Sequence, residues 1–145
     1  MLHAAHAAAQ GYESVLLVTE DTDVLVLSIA FSADIGAAMY VKAGTQSRTQ
    51  YIDVTKIASA LGPSVCSGLL GMHAFTGCDS VSTLAGRGKL TALKMLKRNE
   101  EVQCMFKDLG SEWTVSEELN DKIETFTCQM YAPRSNTVSV NELRY

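Results

Sequence analysis

The feature that most constrains the fold of this chain is an uninterrupted aliphatic and β-branched run, Ser14–Thr19 (SVLLVT), followed at once by acidic residues. A run without polar alternation predicts a strand buried on both faces, as in a parallel sheet. An alanine-rich helix is predicted just before it, over His3–Gln10, with Gly11 as its C-terminal stop. A helix followed by a buried strand favours an α/β layered domain.

Further elements are predicted from apolar spacing and from turn and cap signals. After the first strand, Asp21 or Thr22 caps a helix that continues through Ile29. Two short strands joined by a turn at Gly44–Ser47 come next, and the rest of the chain is predicted to be mainly helical. The predicted strands are Met39–Lys42 and Gln50–Val54, and the predicted helices are one from Asp53 to Leu61, Ser64–Phe75, Leu90–Lys97, Glu100–Leu109 and Ser116–Tyr131.

The length of 145 residues and an apolar fraction of 47% predict one globular domain with a real core. We divide it into an α/β core portion over residues 1–62, a helical portion over 63–98 and a C-terminal helical extension over 99–145. The first helix begins abruptly and the last segment ends without a stop signal. We therefore expect a partial domain, truncated at both ends.

Several classes of protein are disfavoured by the composition. The most apolar run, Val24–Phe31, is too short to span a membrane, and the N-terminal residues lack the basic and apolar regions of a signal peptide. The cysteines are widely spaced and form no CxxC pair, which disfavours a zinc site and a disulfide framework. We expect an intracellular protein with four buried thiols, Cys66, Cys78, Cys104 and Cys128.

Two carboxylates, Asp21 and Asp23, follow the predicted strand at the position where α/β sheets place their active sites. Carboxylates one residue apart can converge on Mg²⁺ or Mn²⁺, and such ions support phosphodiester cleavage. The alternative is that Asp21 caps the next helix and Asp23 is solvated. Asp79 has the same two interpretations, as a further ligand or as a helix cap.

A glycine-rich turn, Gly86-Arg87-Gly88-Lys89, precedes a predicted helix and resembles a helix–hairpin–helix contact to a nucleic-acid backbone. It lies in a segment, residues 80–99, that has five basic residues and no acidic residue. Such a basic segment can meet a phosphate backbone. The alternatives are an ordinary interhelical turn and a solvated helix face.

Together these motifs resemble the XPG and flap-endonuclease family of PIN-like nucleases. The stretch from Thr19 to Asp23 (TEDTD) is similar to the family's strand-end acidic motif, and Gly77-Cys78-Asp79 is similar to its G-C-D motif. The interval from Gly77 to Gly88 matches the family's spacing between G-C-D and the G-x-G hairpin. The resemblance covers approximately residues 1–98 and does not extend to the C-terminal segment.

The resemblance implies a PIN-like, Rossmann-type parallel sheet followed by a helix–hairpin–helix element and C-terminal helices. It also implies metal-dependent hydrolysis of DNA, duplex or branched, in the nucleus. The ligands of Mg²⁺ or Mn²⁺ would be Asp21, Asp23 and Asp79. The hairpin would hold the duplex backbone, with K⁺ as a further ion at its carbonyls, through Thr83, Gly86, Arg87, Gly88 and Lys89.

Three features of the family are missing. An early strand bearing an aspartate, an acidic cluster at the start of the first helix and the basic residues of the family's helical gateway have no counterpart in this sequence. If the chain is the whole polypeptide, about half of the acidic site is absent. The sequence therefore predicts either a nuclease that is incomplete as it stands, or a non-catalytic module that binds nucleic acid or protein. It leaves the oligomeric state open.

Overall fold

The computed structural model describes residues 1–45, 47–78, 81 and 83–144. The chain forms two compact units, Met1–Cys66 and Ser67–Tyr145. Eight α-helices and three strands lie in the described part of the chain, so the fold is mixed α/β. No helix within this part combines the length and the apolar character that a membrane span requires.

The first unit contains one sheet and the helices that flank it. Its elements are α1 (Leu2–Ala9), β1 (Ser14–Val18), α2 (Thr22–Ala30), α3 (Ser32–Ile35), β2 (Ala38–Ala43), β3 (Gln50–Asp53) and α4 (Val54–Leu61). These bounds lie close to the predicted ones, except that the short helix α3 was not predicted. Gly11, which follows the C-cap residue Gln10, has a φ of 87°, and this explains why α1 stops close to the predicted position.

The sheet has the order β1-β2-β3 and is mixed. β1 and β2 are parallel, with Leu16 opposite Tyr40, because the connection between them contains α2 and α3. β2 and β3 are antiparallel, because residues 44–49 are too few for a parallel crossover. The prediction of a parallel sheet therefore holds for the first two strands only. The predicted turn at Gly44–Ser47 includes Gln46, which lies outside the described residues.

β1 is not buried on both faces, and that prediction is wrong. Its side chains alternate between half-buried and exposed, with Leu16 50% exposed and Val18 73% exposed. The same face of the sheet carries Tyr40 and Tyr51, which are also exposed. The other face is covered by helices, where α4 packs on β2 and contacts α2 and α3. Apolar composition alone could not show that only one face is covered.

The buried face of the sheet forms the core of the first unit. Met39 and Val41 of β2 are almost completely buried, as is Val54 at the start of α4. Asp53 caps α4, since its Oδ1 accepts a hydrogen bond of 2.9 Å from the backbone N–H of Lys56. The cap places α4 directly after β3, so the helix folds back over the sheet.

The second unit is helical. α5 (Pro63–Phe75), within which the division between the units falls, is followed by α6 (Lys89–Leu96), α7 (Glu100–Asp108), α8 (Glu117–Tyr131) and a final 3₁₀ turn, Glu142–Arg144. Two of these helices start at side-chain caps: Asn99 caps α7 and Ser116 caps α8. α7 packs against both α6 and α8.

An aromatic cluster lies at the centre of this unit. The rings of Phe75, Phe106 and Phe126 contact one another, with centroids 4.9 to 6.1 Å apart. α5 approaches α7 closely because Gly68 and Gly71 have no side chains: a Cβ at Gly71 would lie 2.1 Å from the carbonyl oxygen of Phe106. The close packing of α5 on α7 therefore requires glycine or a similarly small residue at these positions of α5.

The prediction of four buried thiols is corrected by the structure. Cys66 and Cys128 are buried as predicted, but Cys78 is half-buried and Cys104 is exposed. Trp113 is fully exposed in the connection between α7 and α8.

Candidate functional site

The acidic pair Asp21 and Asp23 lies directly after the carboxyl end of β1. The chain turns there because the backbone N–H of Asp21 donates to the Thr19 hydroxyl at 3.0 Å, and the backbone N–H of Asp23 donates to Asp21 Oδ1 at 2.8 Å. Asp21 is thus the N-cap of α2 and Asp23 lies in its first turn. The positive end of the helix dipole favours both negative charges at this position.

The capping interpretation of Asp21 is therefore observed. The cap uses one carboxylate oxygen, and Asp21 is exposed to solvent while Asp23 is half-buried. A carboxylate has two oxygens and about four lone-pair sites, so capping and cation binding are compatible chemically. The two acids lie together at the start of α2, after the carboxyl end of β1, which is the position that the sequence predicted.

The third predicted ligand, Asp79, lies outside the described residues. Among the residues that are described, no group of three or more His, Cys, Asp or Glu side chains is arranged to hold a metal ion. The candidate metal centre that the structure describes is therefore the pair Asp21 and Asp23.

Gly77 of the G-C-D motif has a steric role. Its φ of 105° is a conformation that favours glycine, and a Cβ there would lie 2.6 Å from Thr83 Cγ2 and 2.8 Å from Thr83 Cα. The next residue, Cys78, exchanges two backbone hydrogen bonds of 3.1 Å with Val81. Thr83, predicted as a nucleic-acid contact, is an exposed residue whose side chain and backbone lie against the Gly77 backbone.

Arg87 of the glycine-rich turn contacts α8. Its guanidinium donates a hydrogen bond of 3.0 Å to the backbone carbonyl of Tyr131, the last residue of that helix, and lies 5.8 Å from the centre of the Tyr131 ring. A cation is favoured at the negative end of a helix dipole. Arg87 therefore connects the turn to α8. The two partners are separated by 44 positions in the sequence, which explains why local sequence patterns do not predict this contact.

The turn itself is closed by local bonds. The backbone N–H of Arg87 donates to the carbonyl of Leu84 at 3.2 Å, and Gly86 has a φ of 68°. Both glycines of the turn, Gly86 and Gly88, are exposed, and a Cβ at either would meet no atom within 4 Å. The turn therefore presents open backbone to solvent, as a backbone-binding hairpin requires.

Lys89 is the first residue of α6 and lies against a buried histidine. Its Nζ is 3.0 Å from Nδ1 of His73, which is 7% exposed. An ammonium group has only donors, so Nδ1 is the acceptor in this contact. Sequence reasoning did not identify His73 as a partner of Lys89. An ammonium has three N–H donors, so the contact leaves capacity for a phosphate oxygen.

α6 starts with weak local capping and carries further cations. Gly88 is its N-cap and supplies no side-chain hydrogen bond. Lys94, Lys97 and Arg98, from the same basic segment, are exposed on α6 and just after it. The arrangement combines a helix N-terminus with nearby positive charge, which suits a phosphate. It is equally what a solvated helix face presents.

Comparison of the chain with family models, with curated proteins and with solved structures found no match to any of them. Function is therefore inferred from the motifs and from the geometry of the described residues alone.

Proposed function

We propose that this chain is a nuclease-like module of the flap-endonuclease group that binds Mg²⁺ or Mn²⁺ and acts on the phosphodiester backbone of DNA. The observation that carries the proposal is the position of Asp21 and Asp23, two acids at one helix start directly after the parallel strand β1. In α/β sheets, ligands bind at the carboxyl ends of the strands. Asp79 belongs to the proposed ligand set through the G-C-D motif.

The proposal includes the finer fold assignment. A PIN-like arrangement is supported by the parallel pair β1 and β2 with helices between them, and a helix–hairpin–helix by the turn at Gly86–Lys89 before α6. K⁺ is proposed at the carbonyls of that turn. Action on DNA would place the protein in the nucleus.

The proposed chemistry needs carboxylate oxygens that hold a divalent cation. Such an ion lowers the pKa of its bound water, so that a hydroxide is available as nucleophile, and it stabilises the leaving oxygen. In this chain Asp21 and Asp23 would hold the cation. Lys89 would position a backbone phosphate from the start of α6. The acids present form a partial site, so the expected activity of this chain is weak.

Titration calorimetry with Mn²⁺ tests the ligand assignment, with Asp21→Asn and Asp23→Asn as variants. Asparagine caps a helix about as well as aspartate, so Asp21→Asn removes the charge and preserves the start of α2. We expect the measured affinity for Mn²⁺ to fall at least tenfold in both variants. Asp34→Asn is the matched control, because Asp34 is an exposed acid in α3 of the same unit.

The result that would contradict the assignment is an Mn²⁺ affinity that is the same in wild-type protein, Asp21→Asn and Asp23→Asn. A loss of equal size in Asp34→Asn would also contradict it, since that result indicates diffuse attraction of the cation to an acidic unit. The Asp79→Asn variant tests the third proposed ligand in the same experiment.

The second candidate function is a non-catalytic module that binds duplex nucleic acid. It is favoured by one observation, the open backbone turn before α6 together with the cations Lys89, Lys94, Lys97 and Arg98. This function predicts duplex binding without metal that weakens steeply as salt is raised.

Fluorescence anisotropy with a labelled DNA duplex at several salt concentrations tests the second function. If Lys89 contacts a phosphate, Lys89→Ala should weaken binding and reduce the slope of log affinity against log salt by about one. Lys107→Ala is the control, since Lys107 is an exposed lysine at the end of α7. Binding that is unaffected by Asp21→Asn favours this function over the nuclease, and equal effects of Lys89→Ala and Lys107→Ala exclude a specific contact.

A further inference from the structure

The outer edge of β1 carries no further strand within the described part of the chain. β1 is the terminal strand of the sheet there, and β2 pairs with its inner edge. No other strand of the described residues pairs with its second edge. An open edge presents unpaired backbone N–H and C=O groups, and it is a template for a further strand.

The backbone groups at this open edge can be identified. The N–H of Thr19 donates to the carbonyl of Lys42, and the carbonyl of Glu13 accepts from the N–H of Ala38, so both residues face β2. Backbone groups alternate in direction along a strand. The N–H and C=O groups of the even-numbered residues therefore face the open edge. They belong to Ser14, Leu16 and Val18.

The sequence of β1 contains none of the features that normally protect an edge. Native edge strands use charged side chains, proline or a bulge to prevent pairing with other chains. Ser14–Val18 has no charge, proline or glycine, and its ladder with β2 is regular over all five residues. Leu16 and Val18 are half to three-quarters exposed on the open face. The edge is therefore suited to receive a partner strand.

We propose that two copies of this chain associate through their β1 edges in antiparallel orientation, with Leu16 opposite Leu16 of the second copy. This register places Ser14 opposite Val18, so every residue that faces the open edge is in a hydrogen-bonded pair. Three pairs that each exchange two hydrogen bonds give about six new backbone hydrogen bonds. The two sheets then join into one continuous sheet across a two-fold axis.

Charge supports this register over its neighbours. With Leu16 at the axis, Glu13 lies opposite Thr19 and Glu20 lies opposite Tyr12 of the second copy. A shift of one residue would place Glu13 opposite Glu20, and it would direct the backbone groups away from each other. Like charges directly opposite destabilise a strand pair. The proposed register avoids that opposition and uses the longest overlap of β1 with itself.

The interface is small. One five-residue strand from each copy covers much less than the roughly 800 Å² per partner of a standard stable interface. We therefore expect a weak, reversible dimer whose population rises with protein concentration. The side chains of Leu16 from the two copies would lie side by side on the open face, where each is covered by the other.

Sedimentation velocity of the full chain over a wide concentration range tests the proposal. The wild-type sedimentation coefficient should rise with concentration toward that of a dimer. Leu16→Lys should abolish the rise, because it places two positive charges opposite each other at the axis. Val18→Pro should weaken the dimer at least tenfold, since it removes an N–H that faces the open edge and leaves the hydrogen bonds to β2 intact.

Tyr51→Lys is the matched control. Tyr51 is 67% exposed on the same face of the sheet as Leu16, but it lies on β3, the strand at the opposite edge. Edge pairing predicts that Tyr51→Lys dimerises like the wild type. Far-ultraviolet circular dichroism of each variant checks that the fold is retained.

Hydrogen exchange supplies a readout at the backbone. The amides of Ser14, Leu16 and Val18 should exchange more slowly at high than at low protein concentration. The amide of Tyr12 should not change, because it already donates to the carbonyl of Ala7 within the same chain. A wild-type chain that stays monomeric at all concentrations overturns the proposal. So does a dimer that persists in Leu16→Lys, or one that Tyr51→Lys removes, because the latter result assigns the contact to the face of the sheet.

Discussion

Replacing Gly71 with alanine should destabilise the second unit, because α5 and α7 are in contact at this glycine. The added Cβ would lie 2.1 Å from the carbonyl oxygen of Phe106 and 3.0 Å from its carbonyl carbon. A carbon atom normally approaches a carbonyl oxygen to about 3.3 Å. The helices must therefore separate by roughly 1 Å, since neither a Cβ nor a backbone carbonyl can rotate away.

The size of the effect follows from two opposing contributions. Overpacking of a core costs about 1–3 kcal/mol, and a backbone clash of this depth belongs at the upper end. Alanine is a better helix former than glycine by about 1 kcal/mol, which offsets part of the cost. We expect a net loss of about 2 kcal/mol. For a unit of this size that corresponds to a fall in melting temperature of roughly 8–16 °C.

The matched control is Gly68→Ala on the same helix. Its Cβ would lie 3.0 Å from Leu96 Cδ1 and 3.1 Å from the carbonyl oxygen of Gln103, so small adjustments relieve the contact. The gain in helix propensity then offsets the cost, and we expect a change within about 1 kcal/mol of zero.

Urea unfolding monitored by circular dichroism measures the free energy of unfolding of both variants. The helical signal is the appropriate probe, because Trp113 is fully exposed and its fluorescence reports little about packing. A Gly71→Ala protein as stable as the wild type would show that α5 and α7 are not in contact at this position. Equal losses in Gly68→Ala and Gly71→Ala would show that the depth of the clash does not determine the cost.

Three further predictions concern the Arg87 contact, the reactivity of the cysteines and the pH dependence of stability. Arg87→Ala should lower the free energy of unfolding by about 1 kcal/mol, because it removes the hydrogen bond to the Tyr131 carbonyl and the contact with the Tyr131 ring. A urea midpoint equal to that of the wild type would contradict this prediction. Among the described cysteines, Cys104 should react with a thiol reagent in the native protein, and Cys66 and Cys128 should react only after unfolding, as mass spectrometry of the labelled protein would show. Burial raises the pKa of the Cys66 and Cys128 thiols, so the folded protein retains these protons at a pH where the unfolded chain loses them. The free energy of unfolding should therefore not depend on these thiols below about pH 8.5, and it should fall as the pH rises above that value. In Cys128→Ala the free energy of unfolding should fall less over the same pH range.

Local patterns predicted most of the elements. The helix starts are the clearest case, since Asp53 and Ser116 act as the caps that their side chains suggest. A cap depends on atoms within three residues of each other, so the sequence contains the whole interaction. The position of Asp21 and Asp23 after β1 was predicted for the same reason. Their role in metal binding remains a prediction, because it depends on groups that the chain must bring together from a distance.

The partners of the glycine-rich turn could not be predicted. Arg87 reaches Tyr131 and Lys89 reaches His73, over 44 and 16 residues of sequence. Both contacts depend on how helices pack in the second unit, and a local charge pattern contains no information about that packing. The basic segment suggested a surface for phosphate, whereas two of its five cations have partners within the protein.

The sequence by itself determined where the strands and helices lie, because turns, caps and apolar spacing act over a few residues. Only the tertiary structure decided which faces of those elements are covered. β1 has the composition of a strand buried on both sides, yet Leu16 and Val18 are exposed and its outer edge pairs with no strand of the described residues. Burial depends on what packs against a strand. That is a property of distant segments and partners, which the run of aliphatic residues cannot specify.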